Sequence, residues 1–475
     1  MAARLPYSRV VDVSLTRQDR FATASGFSVL LIVNPTAVAG VVDATTRTKV
    51  YGDLLEVAVD FASNTAAYKA AAAAFSQNPR PRQVKIGYRN TANPITDELN
   101  AIYAYDPDFY WLGFTAEVRD SADARAAADW AETKSILAGF ETNDIDTETP
   151  TAIADTSTAV TMTIAAPGVV TWTGHGLSAN DPVSFTTTGA LPTGLTAGSV
   201  YYVLAPSTNS FTLAATPGGS AIATTGTQSG THTGTALKFG GSFAEYIESK
   251  SYDRSFAFYH TDAALYPAIA LLAYCSTRDL DRSNGRAAQA GSITSGNAYT
   301  AKFKKLAGIT PVNKGSAAVQ AITGFIPGLG VDASQGHAAN TYVDIGGLPM
   351  VVEGTVGSHA FIDEVHVGDW LVARTREAVL STLANNARVP YTNPGVAILT
   401  NAIDGVMRRA VAAGVVAGDI GDDEDSFLPA YSIEVDRVEN IPASQRRNRI
   451  APDIRVDFRY AGAFHYATAS ILMRF

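Results

Sequence analysis

The chain has 475 residues, 46% of them hydrophobic and 17% charged, with a formal net charge of -9 and a single cysteine, Cys275. That length and apolar content exclude a disordered chain and call for several domains with substantial cores. The acidic balance argues against nucleic acid as the main partner, and one cysteine excludes both an internal disulfide framework and a cysteine-based zinc site.

In chain order, Val11, Val13 and Leu15 alternate with polar residues and predict a strand near the N-terminus. Ser28–Val33, Val84–Tyr88, Phe109–Phe114 and Ile136–Phe140 read as strands, and Thr65–Phe75, Pro94–Tyr105 and Ser121–Lys134 as helices between them. The alternation predicts an α/β layer with parallel pairing. The acidic segment Glu141–Pro150 reads as a linker into a stretch of different composition.

Residues 151–237 differ sharply from their surroundings. They carry 21 threonines and only two charged side chains, Asp155 and Asp181. Residues 1–149 hold 14 basic and 19 acidic groups, and residues 238–475 hold 22 and 24, so the intervening stretch is a separate module. Val169–Thr173, Pro182–Thr187, Val200–Leu204 and Phe211–Ala215 are strand-like runs separated by glycine and proline turns, as in a small antiparallel barrel or sandwich. The flanks then read as one domain interrupted by an insertion.

Beyond the module, Ser255–Tyr259 predicts a strand and Ala263–Cys275 a helix apolar on all sides, hence buried. Asp369–Asn386 predicts a helix with Asp369 at its cap or first turn. Asn393 reads as the cap of another, with Pro394 at its first position, Val396, Leu399, Ile403, Val406 and Ala410 on one face, and Gly414 as its stop. Tyr431–Val435, Asp453–Tyr460 and Phe464–Phe475 predict strands that finish the chain. Strand-like segments at both ends either edge the chain's own sheet or pair with another copy.

No catalytic constellation emerges. There is no phosphate loop and no nucleophile elbow. Gly328-Leu-Gly330 imitates a dinucleotide fingerprint but follows Pro327 instead of a strand. Asp363, His366 and Asp369 could line one helical face as metal ligands, although their apolar neighbours favour a capping role. His175 and His232 read as turn or surface residues. Asp422, Asp423, Glu424 and Asp425 form an acidic run without calcium-loop spacing, and Arg446, Arg447 and Arg449 the densest basic cluster. The expectation is no enzyme, no cofactor and no metal. The first residues lack a signal-peptide core, and the longest apolar run is shorter than the ~18 residues of a membrane span, so no membrane partner is expected.

The succession Asn340-Thr-Tyr-Val343, Phe361-Ile-Asp-Glu-Val-His366, Gly368-Asp-Trp-Leu371, Val389-Pro-Tyr-Thr-Asn-Pro-Gly395 and Tyr460-Ala-Gly-Ala-Phe-His465 resembles the contractile tail sheath proteins of myovirus-type bacteriophages. It is similar, more narrowly, to a sheath family long described only as phage protein of unknown function. Ser8-Arg-Val-Val-Asp-Val-Ser14 and Ala74-Phe-Ser-Gln-Asn-Pro-Arg-Pro81 belong to the same resemblance, which omits residues 151–237; that stretch looks like a β module found in various phage virion proteins.

The resemblance implies a mixed α+β and α/β multi-domain fold. Its parts would be an N-terminal strand arm (1–22), a core in two parts (23–150 and 238–450), an inserted all-β surface domain (151–237) and a C-terminal strand arm (451–475). It further implies a structural subunit that polymerises as stacked hexameric rings around a tail tube and contracts to drive the tube through the host envelope. Its partners would be other copies of itself in a helical assembly, the tube protein, and baseplate and tail terminator proteins, in a virion tail assembled in the host cytoplasm. Val11, Val13, Leu15, Phe464, Tyr466, Ile471 and Met473 would lie on strands shared between subunits, and the arginine and acidic clusters would pair between them. A tail tube or baseplate component is the alternative.

Overall fold

The computed structural model describes residues 26–148, 151–179, 181–216, 219–238, 241–281, 298–332, 336–420 and 428–467. They form two compact units. The larger contains residues 26–281 and 298–369 together with 462–467, and the smaller contains 370–420 and 428–461.

The larger unit is built on a sheet whose strands arise in the order β1 (Leu30–Asn34), β2 (Thr48–Tyr51), β3 (Val84–Tyr88), β4 (Trp111–Phe114) and β5 (Leu137–Thr142). Helices α1 (Leu54–Asp60), α2 (Ala66–Phe75), α3 (Ile95–Tyr105) and α4 (Ala122–Glu132) connect them. Thr65 and Ser121 cap α2 and α4 by accepting from the amides of Tyr68 and Ala124. β6 (Thr151–Met162), β7 (Val169–Thr171), β8 (Pro182–Thr187), β9 (Val200–Leu204), β10 (Ser210–Ala214) and β11 (His232–Lys238) come next as a separate body. The sheet resumes after α5 (Phe243–Ser249) with β12 (Ser255–Tyr259). Then come α6 (Pro267–Ser276), α7 (Ser316–Thr323), a small hairpin of β13 (Phe325–Ile326) and β14 (Gly330–Val331), and finally β15 (Asn340–Ile345) and β16 (Leu348–Val352).

The eight-stranded sheet runs β16-β15-β12-β5-β4-β1-β3-β2. Its six inner strands are parallel as expected, and the two edge strands, β2 and β16, are antiparallel to their neighbours. The period of two sorts β1 onto both faces: Leu30 and Ile32 enter one core with α2 and α6, and Leu31 and Val33 enter the other with α3 and α4. Every residue of α6 is buried, as its all-round apolar sequence requires. It lies so close to the sheet that a Cβ on Gly113 would come within 2.9 Å of Ile269 and one on Gly139 within 3.0 Å of Leu272. Those two glycines let the helix descend onto β4 and β5.

Glu141 corrects the linker reading. It continues β5, is buried, and accepts from the amides of Ala268 and Ile269 at the start of α6, 3.0 and 3.3 Å away. The free amides of the helix N-terminus supply the donors that a buried carboxyl oxygen there requires. Gly328-Leu-Gly330 is the turn of the β13–β14 hairpin and not a nucleotide loop.

β6 to β11 close into a six-stranded barrel, β10-β7-β6-β11-β8-β9. It has a hydrophobic core of its own, in which Val160, Trp172, Val183, Phe185, Val203 and Phe211 meet. His175 and His232 are not surface residues. His232 is buried between Thr187 Oγ1 (2.8 Å) and Gln228 Oε1 (3.0 Å), and buried His175 accepts from the Leu177 amide. Threonine and glutamine partners replace the water that a turn histidine would use.

The smaller unit continues from α8 (Ile362–Asn385), which begins in the larger unit, through α9 (Asn393–Ala413), β17 (Tyr431–Val435), α10 (Ala443–Arg447) and β18 (Ile454–Phe458). α9 buries Val396, Leu399, Ile403, Val406 and Ala410 and ends at Gly414, which adopts a left-handed φ of 79°. Its cap is Thr392 and not Asn393, because Asn393 is engaged elsewhere: its amide donates to Glu439 and its carbonyl accepts from the Val438 amide.

Candidate assembly surfaces

α8 starts seven residues before the expected Asp369, and this removes Asp369 from any cap. Asp369 accepts a bidentate pair of bonds from Arg254 (2.5 and 2.8 Å) and a third from the Tyr110 hydroxyl (2.8 Å). His366, one turn earlier, is fully buried, with Nδ1 3.0 Å from the Tyr299 hydroxyl and its ring among Phe27, Tyr110 and Trp111. Burial pushes its pKa down to about 3, so the ring is neutral. His366 and Asp369 thus seat the first turns of α8 on the sheet, and Asp363 is buried in the first of those turns. Among the described residues no group of three could hold a metal ion, and no helix is long and apolar enough to cross a membrane.

In the smaller unit β17 and β18 form an antiparallel ribbon. Tyr431 faces Phe458, Ile433 faces Val456 and Val435 faces Ile454 on one side, while Ser432 faces Asp457 and Glu434 faces Arg455 on the other. The apolar side turns toward α9, where the Tyr431 hydroxyl donates to Asp404, 2.6 Å away, and Arg408 pairs with the same carboxylate. Among the described residues no further strand pairs with either outer edge of this two-stranded sheet. Two strands alone are marginal, and open edges present rows of amides and carbonyls to any extended segment.

Of the residues expected on shared strands, Val11, Val13, Leu15, Ile471 and Met473 lie outside the described residues. Phe464 and Tyr466 are described, and neither lies in a strand of this chain; Phe464 is 95% exposed and Tyr466 half exposed. Between them His465 turns inward, its Nε2 2.9 Å from Thr300 Oγ1 and its ring edge-on to Phe361. Arg446 and Arg447 occupy the last turn of α10, and Arg449 comes after it at a left-handed φ of 59°; all three are exposed. Asp422, Asp423, Glu424 and Asp425 lie outside the described residues.

Sequence reasoning missed Glu141 and the inward turn of His465. The apolar run ending at Phe140 pointed to a strand that could continue through Glu141, and nothing local distinguishes His465 from a solvent residue.

Residues 362–473 match a family described as the C-terminal domain of E217 tail sheath protein gp31-like proteins. No curated protein matches the chain. Among solved structures, a chain of the anti-feeding prophage (AFP) helical sheath in the contracted state has 12% identity and a TM-score of 0.50, over 99% of this chain and 100% of that one. A chain of the PVC sheath complex of an extracellular contractile injection system, also contracted, has 10% identity and a TM-score of 0.51, over 100% and 99%. A chain in the six-fold symmetrised AFP baseplate matches at 12% identity with a TM-score of 0.50, each chain covered completely. Such identities speak for fold alone, and the fold agrees with the mixed α and β architecture expected. Residues 362–473 are thus similar to the tail sheath gp31-like C-terminal domain, within a fold shared along the chain's length with chains of contractile injection systems.

Proposed function

We propose that this protein is the structural subunit of a bacteriophage contractile tail sheath. It polymerises as stacked hexameric rings around a tail tube and shortens to drive the tube through the host envelope. The observation that carries this reading is the coincidence of the gp31-like C-terminal match with a sheath-type fold over essentially the whole chain. The open ribbon β17–β18 supports its assembly mode: terminal strands of neighbouring copies would add to its edges, each hydrogen bond contributing a net ~0.5–1.5 kcal/mol. Baseplate and terminator proteins would meet the ends of the helix. The inserted barrel would sit as a surface decoration. Assembly would take place in the host cytoplasm before incorporation into the virion.

Likeness to a chain in a baseplate structure favours one second reading, a baseplate component. Electron microscopy of the purified protein separates the two. A sheath subunit forms long helical tubes of constant diameter; discrete rings or particles at all concentrations would overturn the sheath reading.

A further inference from the structure

Residues 462–467 belong to the larger unit, where His465 and Tyr466 contact it. Besides the Thr300 bond, the His465 ring stands edge-on to Phe361 with centroids 4.6 Å apart and to Phe303 at 5.9 Å. Tyr466 rests on the Gly328 turn, its Cε1 3.7 Å from where a Cβ on that glycine would be. The receiving segment is itself tied to the sheet edge. The Phe303 amide donates to Val351 of β16, the Val351 amide donates to Lys304, and Lys302 pairs with Glu353 just beyond β16.

We propose that His465 anchors the C-terminal segment to the edge of the eight-stranded sheet, so that tension on a terminal strand engaged by another copy passes into that sheet. This deepens the sheath reading and rests on it. The ring acts as a neutral aromatic group. Its Nδ1 is buried with no partner, so a second proton there would find no acceptor. The charged groups facing it are Lys302 and Lys304 from the receiving segment; Glu353 is engaged with Lys302, and Phe361 contributes only its ring. Burial first, and those two lysines next, lower its pKa from 6.5 to about 4. Because the docked value lies below the free one, the neutral form docks, and the anchor is lost as pH falls from 6.5 through 4.

Hydrogen exchange on the full chain, expressed as protection factors to remove intrinsic pH effects, tests this. His465→Ala should lower protection across 461–467 by about tenfold or more at pH 7, with β1 protection unchanged. The natural protein should show a comparable loss at pH 4, whereas His465→Phe, which keeps the aromatic contacts but not the Thr300 bond, should show only the small loss of Thr300→Val, and the same one at both pH values. Thr300→Val, which removes only the hydrogen bond, should lower protection without opening a cavity. Unchanged protection in His465→Ala or Thr300→Val, or an equal loss at pH 4 in His465→Phe, would overturn the anchor. Deleting 468–475 leaves His465 in place. If that deletion abolishes tubes while protection at 461–467 persists, anchor and sheath reading both stand; unchanged tubes count against strand exchange, and the anchor is then judged on exchange alone.

Discussion

The barrel and the C-terminal ribbon are both antiparallel and both small, yet they solve the edge problem in opposite ways. The barrel closes on itself, so every strand from β6 to β11 has two neighbours, and Trp172 and Phe211 fill its interior. Among the described residues the ribbon has only β17 and β18, with Phe458 still 42% exposed. A closed barrel has nothing left to offer a strand, whereas a two-stranded ribbon is incomplete without one. The contrast separates an insertion whose strands are all paired from a ribbon that, under the proposed function, another copy would complete.

The strongest way to break this contrast is to remove the strands that would complete the ribbon. Deleting residues 1–16, or residues 464–475, should leave a folded monomer that no longer forms tubes. Circular dichroism and gel filtration report the fold, and microscopy reports the assembly. If both truncations still make regular tubes, the ribbon's open edges are irrelevant to assembly.

A second effect concerns the eight-stranded sheet from which the barrel departs. Burial raises the Glu141 pKa from 4.5 to about 8, against the opposing bonds from Ala268 and Ile269 and the field of Arg119. A raised carboxyl favours folding in its protonated form. Its contribution is therefore complete below pH 4.5 and disappears as pH rises through 8. Glu141→Gln preserves the acceptor for both amides and cannot ionise. It should match the natural protein near pH 4.5 and exceed its stability by about 5 kcal/mol at pH 9, read from thermal or denaturant unfolding. A variant less stable at pH 9 would show that the carboxylate is held ionised.

How legible these regions were depends on where their information lies. α6 and α9 were readable because their apolar periodicity and caps are local, down to Gly414. Four barrel strands were readable from Val, Tyr and Phe runs, but β6 and β11 were not, since TAIADTSTAVTM and HTGTALK hold few large apolar residues and owe their strand state to pairing with each other. Asp369 was misread because its partner Arg254 lies 115 residues away, and His366 because its cage comes from three distant segments. That no third strand joins the ribbon among the described residues is a fact of tertiary pairing, invisible in either strand alone.

A smaller effect concerns charge around the ribbon. Arg446, Arg447 and Arg449 are exposed, and in the proposed assembly the acidic run 422–425 of a second copy would offer complementary charge. Exposed pairs contribute only ~0.2–1 kcal/mol each and weaken with salt, yet a helical lattice repeats them in every subunit. Reversing all three arginines to glutamate should raise the protein concentration needed for tubes and reduce the salt dependence of assembly, with monomer thermal stability unchanged. Unaltered assembly across a salt series would show both segments to be plain solvated loops.

The smallest effect should come from the barrel, and that is what its closure predicts. Its entry and exit strands, β6 and β11, pair with each other directly, bringing Thr151 opposite Lys238. The two ends of the insertion are therefore neighbours, and a short connector can span them with little loop-closure cost. The barrel's hydrophobic core is separate from the two cores that flank the large sheet, so its removal opens no cavity there. Deleting residues 151–237 and rejoining Pro150 to Lys238 through a short Gly/Ser connector should leave unfolding of the remaining chain and tube formation essentially unchanged, with tube diameter in micrographs reduced if the barrel lies on the outer surface. Insoluble protein, or tubes lost despite a folded monomer, would mean that the barrel participates in the lattice and that its closed edges do not make it independent.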